Sequence, residues 1–358
     1  MYVNNDVPGN RTIGYSQITA GFVMFDYSVD FKWRVSGGLR VEHAEIFGDI
    51  RAYYENGYGV NDIRRKAPGD DFIANPGDID VVKYLPSLSL IYKYLDDEKK
   101  SSNVRANYSR STAYPSIREI TENNVFDFEL RSFVIGNSSL KPVDVDNFDL
   151  RWESFYKGGN SLSVSLFGKK FKNHIELLNF NETNTWTNVE KSYVAGIEVE
   201  GVYKLTKKLE FRANVAVMDS KTEVVLKSRK VVDDELVEVP YDTLTRNMYG
   251  QAPYVINAII NYTFEKLKGA VAVSYNIQGK RLVISATENI PDIYEMPRNI
   301  LDVKFTKNIG KHFVAAITIR DLLNQPVKRS YDLKYDQELD YDSVRWGTNI
   351  NLGLTYRL

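Results

Sequence analysis

The stretch Tyr193-Val-Ala-Gly-Ile-Glu-Val-Glu-Gly-Val-Tyr203 decides the fold. It alternates strictly. Tyr193, Ala195, Ile197, Val199, Gly201 and Tyr203 share one face, and Val194, Gly196, Glu198, Glu200 and Val202 share the other. A period of two means a strand with unlike faces. The apolar face must meet either a protein core or lipid. At about 3.3 Å per residue and a tilt of about 40°, Tyr193 and Tyr203 lie roughly 25 Å apart along a barrel axis, the height of a lipid-facing band between aromatic girdles.

The same alternation recurs along the chain. Trp33, Val35, Gly37, Leu39 and Val41 oppose Arg34, Ser36, Gly38, Arg40 and Glu42, and Leu162, Val164 and Leu166 oppose Ser161, Ser163 and Ser165. Tyr254, Ile256, Ala258, Ile260 and Tyr262 form another such face, as do Ile350, Leu352, Leu354 and Tyr356. Thirteen strands are predicted, near 12–25, 31–44, 82–95, 102–112, 147–157, 160–172, 191–204, 208–219, 254–264, 268–278, 299–306, 311–320 and 345–357. Between them, short connections alternate with long ones. The long ones lie near 45–81, 113–146, 173–190, 220–253, 279–298 and 321–344. Short turns on one side and long loops on the other is the outer-membrane barrel pattern, and loops this long are uncommon in a compact soluble domain.

The polar faces settle the direction of the apolar ones. Arg34, Arg40, Glu198, Glu200, Arg212 and Arg320 belong to them. Arginine or lysine facing lipid near the midplane costs about 2–4 kcal/mol each, and a small dry core would accept such charges no better. A wide, wet or plugged lumen accepts them. The expected fold is therefore an all-β antiparallel transmembrane barrel with its apolar faces outward. The rivals are a soluble β-rich binding protein and a complete smaller barrel acting as a passive porin or adhesin.

Composition agrees. The 358 residues carry a net charge of −1, which offers no argument for a nucleic-acid partner, and no cysteine, which removes disulfides and thiolate metal sites. No run of apolar residues is long enough for a spanning helix, a test that barrels escape. Residues 1–15 show neither a basic n-region nor an apolar h-region.

Several segments in order resemble the barrel of TonB-dependent outer-membrane receptors. Leu85-Pro-Ser-Leu-Ser-Leu-Ile-Tyr-Lys-Tyr94, followed by residues 106–120 (ANYSRSTAYPSIREI), looks like that family's strand and its Ser-Arg-Thr-x-x-Pro-x-x-Arg-Glu continuation. Residues 136–150 (GNSSLKPVDVDNFDL) resemble its Gly-Asn-Pro-x-Leu-Lys-Pro segment, with Ser138 in place of the proline. Residues 187–203 resemble its Asn and Gly-x-Glu-x-Glu strand pair, 252–264 its Pro-x-x-x-Asn strand entry, and 317–327 its Asn-Leu-Phe-Asp segment with Arg320 and Asp321 substituted. The chain ends in Leu358 rather than the usual aromatic residue.

The resemblance implies a bacterial outer-membrane location and uptake of a large solute such as a metal chelate, cobalamin, glycan or peptide. It implies as partners the membrane lipid, an unidentified solute, and the inner-membrane TonB complex acting through a plug. The family barrel has 22 strands around an N-terminal plug. Residues 1–358 are accordingly expected to be a single barrel region, thirteen or fourteen strands from the C-terminal part, with the plug and first strands missing.

No enzyme motif is present, and no cofactor or metal is expected. His43, His174 and His312 lack ligand spacing. The acidic clusters at 331–342 and 233–238 match no EF-hand and read as solvated loops. Candidate solute contacts are Tyr53, Tyr54, Tyr58, Arg64, Arg65 and Trp186, because aromatic faces stack on sugars or flat chelates and arginine pairs with carboxylates.

Overall fold

The computed structural model describes residues 12–51, 75–128, 132–180, 183–232, 235–286, 291–333 and 338–357. Thirteen strands build a continuous antiparallel wall. They are β1 (Thr12–Val29), β2 (Trp33–Ile50), β3 (Gly77–Asp96), β4 (Lys100–Ala113), β7 (Val143–Tyr156), β8 (Asn160–Phe180), β9 (Thr183–Lys204), β10 (Leu209–Val232), β12 (Tyr254–Phe264), β13 (Gly269–Gln278), β16 (Asn299–Ile309), β17 (Phe313–Arg320) and β20 (Asn349–Tyr356). Each pairs with the next in this order. Every predicted strand has its counterpart. Among the described residues β1 pairs only with β2 and β20 only with β17, so the sheet is open along those two edges.

Register carries the alternation from strand to strand. Leu166, Ile197 and Val217 align, as do Leu162, Gly201 and Ala213, so the apolar faces join into one outer surface. That surface is solvent-accessible in Leu166, Ile197, Tyr203 and Val217, as a lipid-facing wall must be. On the inner surface Glu200 aligns with Ser163 and Asn214. The short turns use the conformations tight hairpins need. Asp30 and Phe31 both have positive φ, 51° and 56°, which fits a type I′ turn, and Gly158 and Gly159 also have positive φ in the turn between β7 and β8.

The long connections were expected as loops, yet most contain strands. A second tier stands on the wall's outer end. The far halves of β8 and β9 continue as a paired hairpin, and β10 leaves β12 to pair with β11 (Glu235–Arg246). Two segments lie against the β8–β9 hairpin in parallel. β6 (Ser132–Ile135), paired with β5 (Asn124–Asp127), joins β9, and β14 (Arg281–Ala286) joins β8. From β14 the tier runs on through β15 (Ile293–Glu295) and β18 (Val327–Asp332) to β19 (Glu338–Val344). β14 and β15 are short and largely buried, so they show no clean period of two.

Candidate functional site

The inner wall between β4 and β12 carries a connected polar network. Arg151 donates to Glu153 Oε2 at 3.0 Å and Glu200 Oε2 at 2.5 Å, and its other donors reach Ser163 Oγ at 2.8 Å and Ser165 Oγ at 3.1 Å. Arg105 reaches the second oxygen of Glu153 at 3.0 Å. Asn214 donates to Glu198 and, at 3.4 Å, to Glu200. Arg212 pairs with Glu210 at 2.6 Å. A recess of about 280 Å³ opens among Arg151, Glu200, Arg212 and Asn214. Charges at this density are stable only against water or another polar body. The surface is therefore a wet or plugged lumen.

At the outer mouth the connection between β4 and β7 folds inward over β1, β2 and β3. It contains one helical turn, α1 (Ile117–Ile120), started by a capping box in which Ser116 Oγ accepts from the Glu119 amide and Glu119 accepts from the Ser116 amide. The turn lies on a row of glycines. Gly14, Gly48 and Gly77 are register partners across β1, β2 and β3. A Cβ on Gly14 would sit 2.6 Å from Ile117 Cγ2, and one on Gly77 would sit 2.5 Å from Ile120 Cβ. Only a residue without a side chain lets the turn approach this closely.

The other side is closed by the segment after β6. A Cβ on Gly136 would run into the carbonyls of Thr121 and Arg118, and the Asn137 amide donates to the Glu119 carbonyl at 2.6 Å. Asn137 also donates to the Trp186 carbonyl at 2.9 Å. Asn188 holds Lys141 by a reciprocal pair at 2.8 and 2.9 Å. Motifs far apart in sequence thus meet here and fix one loop.

Trp186 is the candidate solute contact that can be placed. It is half-buried against the cluster of Ile46, Ile79, Ile120 and Leu140, with the Arg118 guanidinium 5.7 Å from its ring centre. Tyr53, Tyr54, Tyr58, Arg64 and Arg65 lie outside the described residues.

Sequence reasoning missed the interaction that ties the second tier together. Glu176, fully buried, receives Arg246 Nη2 at 2.5 Å and the Tyr249 amide at 3.2 Å, with Thr222 Oγ1 and His174 Nδ1 each 3.3 Å away. This group stands beyond the Tyr193 girdle and outside the spanning band. Burial pushes the Glu176 carboxyl up, but His174, the Arg246 charge and the Tyr249 amide outweigh it and hold the group below the ordinary carboxylate range. Burial likewise drives the Tyr294 phenol up to about 12. Nothing in the local sequence signals the Glu176 pair, because its members come from different hairpins.

The three histidines are all engaged. His43 Nε2 lies 2.7 Å from Asp80, and Glu45 is close enough that the three make a possible cation ligand set on the outer surface. His312 Nδ1 is 3.1 Å from the Arg357 carbonyl.

The sequence profile described as "TonB dependent receptor-like, beta-barrel" matches residues 1–322. The chain belongs to the TonB-dependent receptor barrel family. Members of this family reside in the bacterial outer membrane and serve as transport receptors, and this chain is an outer-membrane β-barrel. No curated protein matches its sequence. Solved structures share its fold. The siderophore receptor PiuA from Acinetobacter baumannii superposes with a TM-score of 0.62 at 13% identity, over 96% of this chain and 44% of its own. The ferric enterobactin receptor PfeA from Pseudomonas aeruginosa gives 0.59 at 14% identity, over 96% and 54%. The copper transporter OprC gives 0.59 at 12%, over 96% and 48%. The chain thus spans about half the length of the structures it matches.

Proposed function

We propose that this chain forms part of the wall and outer mouth of a receptor for TonB-energised uptake of a large solute. The reading rests chiefly on the inward-folded turn at Ser116–Thr121. It narrows the mouth of a charged lumen and is fixed there by Gly14, Gly48, Gly77 and Gly136. Such a fixed mouth suits a solute receptor, because a preorganised site loses less entropy on binding.

The open β1 and β20 edges support a larger barrel. Unpaired strand backbone in lipid costs several kcal/mol per group, so further strands must close the sheet. In this reading it is the C-terminal portion of a 22-stranded barrel, and residues 1–358 are one barrel region. A plug would rest on the Arg151–Glu200 network and carry the TonB contact. The solute class is a metal chelate, cobalamin, a glycan or a peptide, and the chain contributes no catalysis.

The test is accumulation of labelled ferric catecholate, cobalamin and oligosaccharide by cells expressing the complete receptor. Uptake of one class that stops when TonB is deleted is the expected result. Uptake of small solutes unchanged by that deletion, with steady single-channel current from the purified protein, overturns the reading in favour of a pore.

A further inference from the structure

We propose that the periplasmic end of the lipid-facing wall between β7 and β10 holds one anionic phospholipid. The site has an apolar trench and a basic rim. The trench exists because small residues are aligned. Gly201 pairs with Ala213, and Ala213 with Ala258, across β9, β10 and β12. The row above them is Val199, Val215 and Ile256, and the row below begins with Tyr203 and Phe211, so larger side chains bank the depression on both sides. The groove encloses about 710 Å³ between Leu162, Tyr203 and Phe211, and it reaches Lys99 and Lys157 at the turn end. That volume lies within the roughly 300–1,000 Å³ of ordinary ligand sites. Its floor faces lipid, so an acyl chain is the occupant available to fill it.

Charge complementarity names the headgroup. Lys99 and Lys157 are exposed on neighbouring turns, joined by a hydrogen bond from the Lys157 amide to the Lys99 carbonyl at 2.8 Å. Lys204 is not part of this rim, because it shares the lumen face with its register partner Glu210. Among the described residues neither Lys99 nor Lys157 enters an ion pair. The acids of the β3–β4 turn are otherwise occupied or set apart. Asp96 pairs with Lys93 at 3.0 Å, and Asp97 accepts the Lys99 and Lys100 amides at 2.7 and 2.8 Å. Glu98 is the remaining carboxylate of that turn and forms no ion pair among the described residues. Beside the rim, Lys100 Nζ lies 5.1 Å from the centre of the Tyr156 ring, and Tyr156 and Tyr203 mark the membrane interface. Two unpaired ammonium groups at headgroup height, above an acyl-sized trench, select a phosphate-bearing anionic lipid over a zwitterionic one.

The experiment uses the full receptor, extracted from vesicles of phosphatidylethanolamine and phosphatidylglycerol and stripped stepwise with detergent, with retained lipid counted by native mass spectrometry. The expected result is one phosphatidylglycerol kept after the bulk lipid has gone. Its affinity falls roughly thirtyfold in the Lys99→Gln/Lys157→Gln variant. Gly201→Leu fills the trench and should also lose the lipid. The nearest atoms to a Cβ there lie at 3.8 and 3.9 Å, so the backbone accepts a side chain without shifting. Heat-modified gel mobility confirms barrel folding in both. Equal retention of phosphatidylethanolamine, retention of the anionic lipid by the charge variant, or its retention by Gly201→Leu each overturns the proposal. So does a wild-type protein that keeps no lipid, or one whose groove is covered by a second polypeptide.

Discussion

Arg246 Nη2 donates to Glu176 Oε2 at 2.5 Å, and the two side chains are 7% and 0% exposed. The pair joins the end of β11 to the outer extension of β8, and so fastens one extracellular hairpin to another. Removing one partner leaves a buried charge uncompensated, at a cost of about 3–5 kcal/mol. Arg246→Ala and Glu176→Ala are therefore expected to loosen the second tier while the wall beneath stays folded. Limited trypsin digestion checks this. Cleavage should become fast in the segments around Lys221 and Arg281, while the heat-modified gel shift is unchanged. The double variant Arg246→Met/Glu176→Leu should recover much of the resistance, because an apolar pair leaves no orphan charge.

The same carboxylate sets an acid limit. The Glu176 carboxyl has a lower pKa in the folded tier than the ordinary value of 4.5. Below 4.5 the unfolded segment thus binds more protons than the folded one, and stability declines as pH falls. The contribution is complete above 4.5 and disappears as pH drops through the lower folded value. Hydrogen exchange of the Tyr249 amide, measured from pH 6 to pH 3, should show protection lost only at the acid end. In Glu176→Gln that step should vanish. A step persisting in Glu176→Gln would assign it to other carboxylates.

The glycine row predicts a steric effect. A Cβ on Gly77 would meet Ile120 Cβ and its carbonyl at 2.5 Å, so Gly77→Val must lift α1 from the wall. Overpacking of this kind costs about 1–3 kcal/mol. Gly168→Ala in β8 is the control, since nothing lies within 4 Å of a Cβ there. Thermal unfolding should shift for Gly77→Val and hold for Gly168→Ala. Trypsin should cut at Arg118 in the first variant alone.

The wall was legible in sequence for a physical reason. Each spanning strand meets lipid on one side and the lumen on the other, so Tyr193–Tyr203 must alternate, and register repeats the rule in β8 and β10. The second tier meets protein on several sides, so Ile293–Glu295 and Arg281–Ala286 carry no comparable period and were expected as loops. The recognisable motifs fall between these cases. Ser116 and Glu119 form a capping box readable at a spacing of three. What Asn137, Asn188 and the three glycines hold, by contrast, emerges only when β1, β2, β3 and β9 are brought together. Tyr53, Tyr54, Tyr58, Arg64 and Arg65 rested on residue type alone, and Trp186 turns out to serve packing at the mouth as well as any solute.

The orientation of the wall can be tested on two neighbouring residues of the opening stretch. Ile197 lies on the outer face between Tyr193 and Tyr203 and is 41% exposed, while Glu198 lies on the inner face and accepts from Asn214. A lysine facing lipid near the midplane costs about 2–4 kcal/mol, whereas the lumen admits charge. Glu198→Lys would stand beside Glu200, so its expected cost is under about 1 kcal/mol, the scale of an exposed ion pair. Urea unfolding of the full receptor in phospholipid vesicles gives both values. Ile197→Lys should lower the midpoint clearly and Glu198→Lys hardly at all. The reverse order would turn the wall inside out, and with it the assignment of the Arg151–Glu200 network to the lumen.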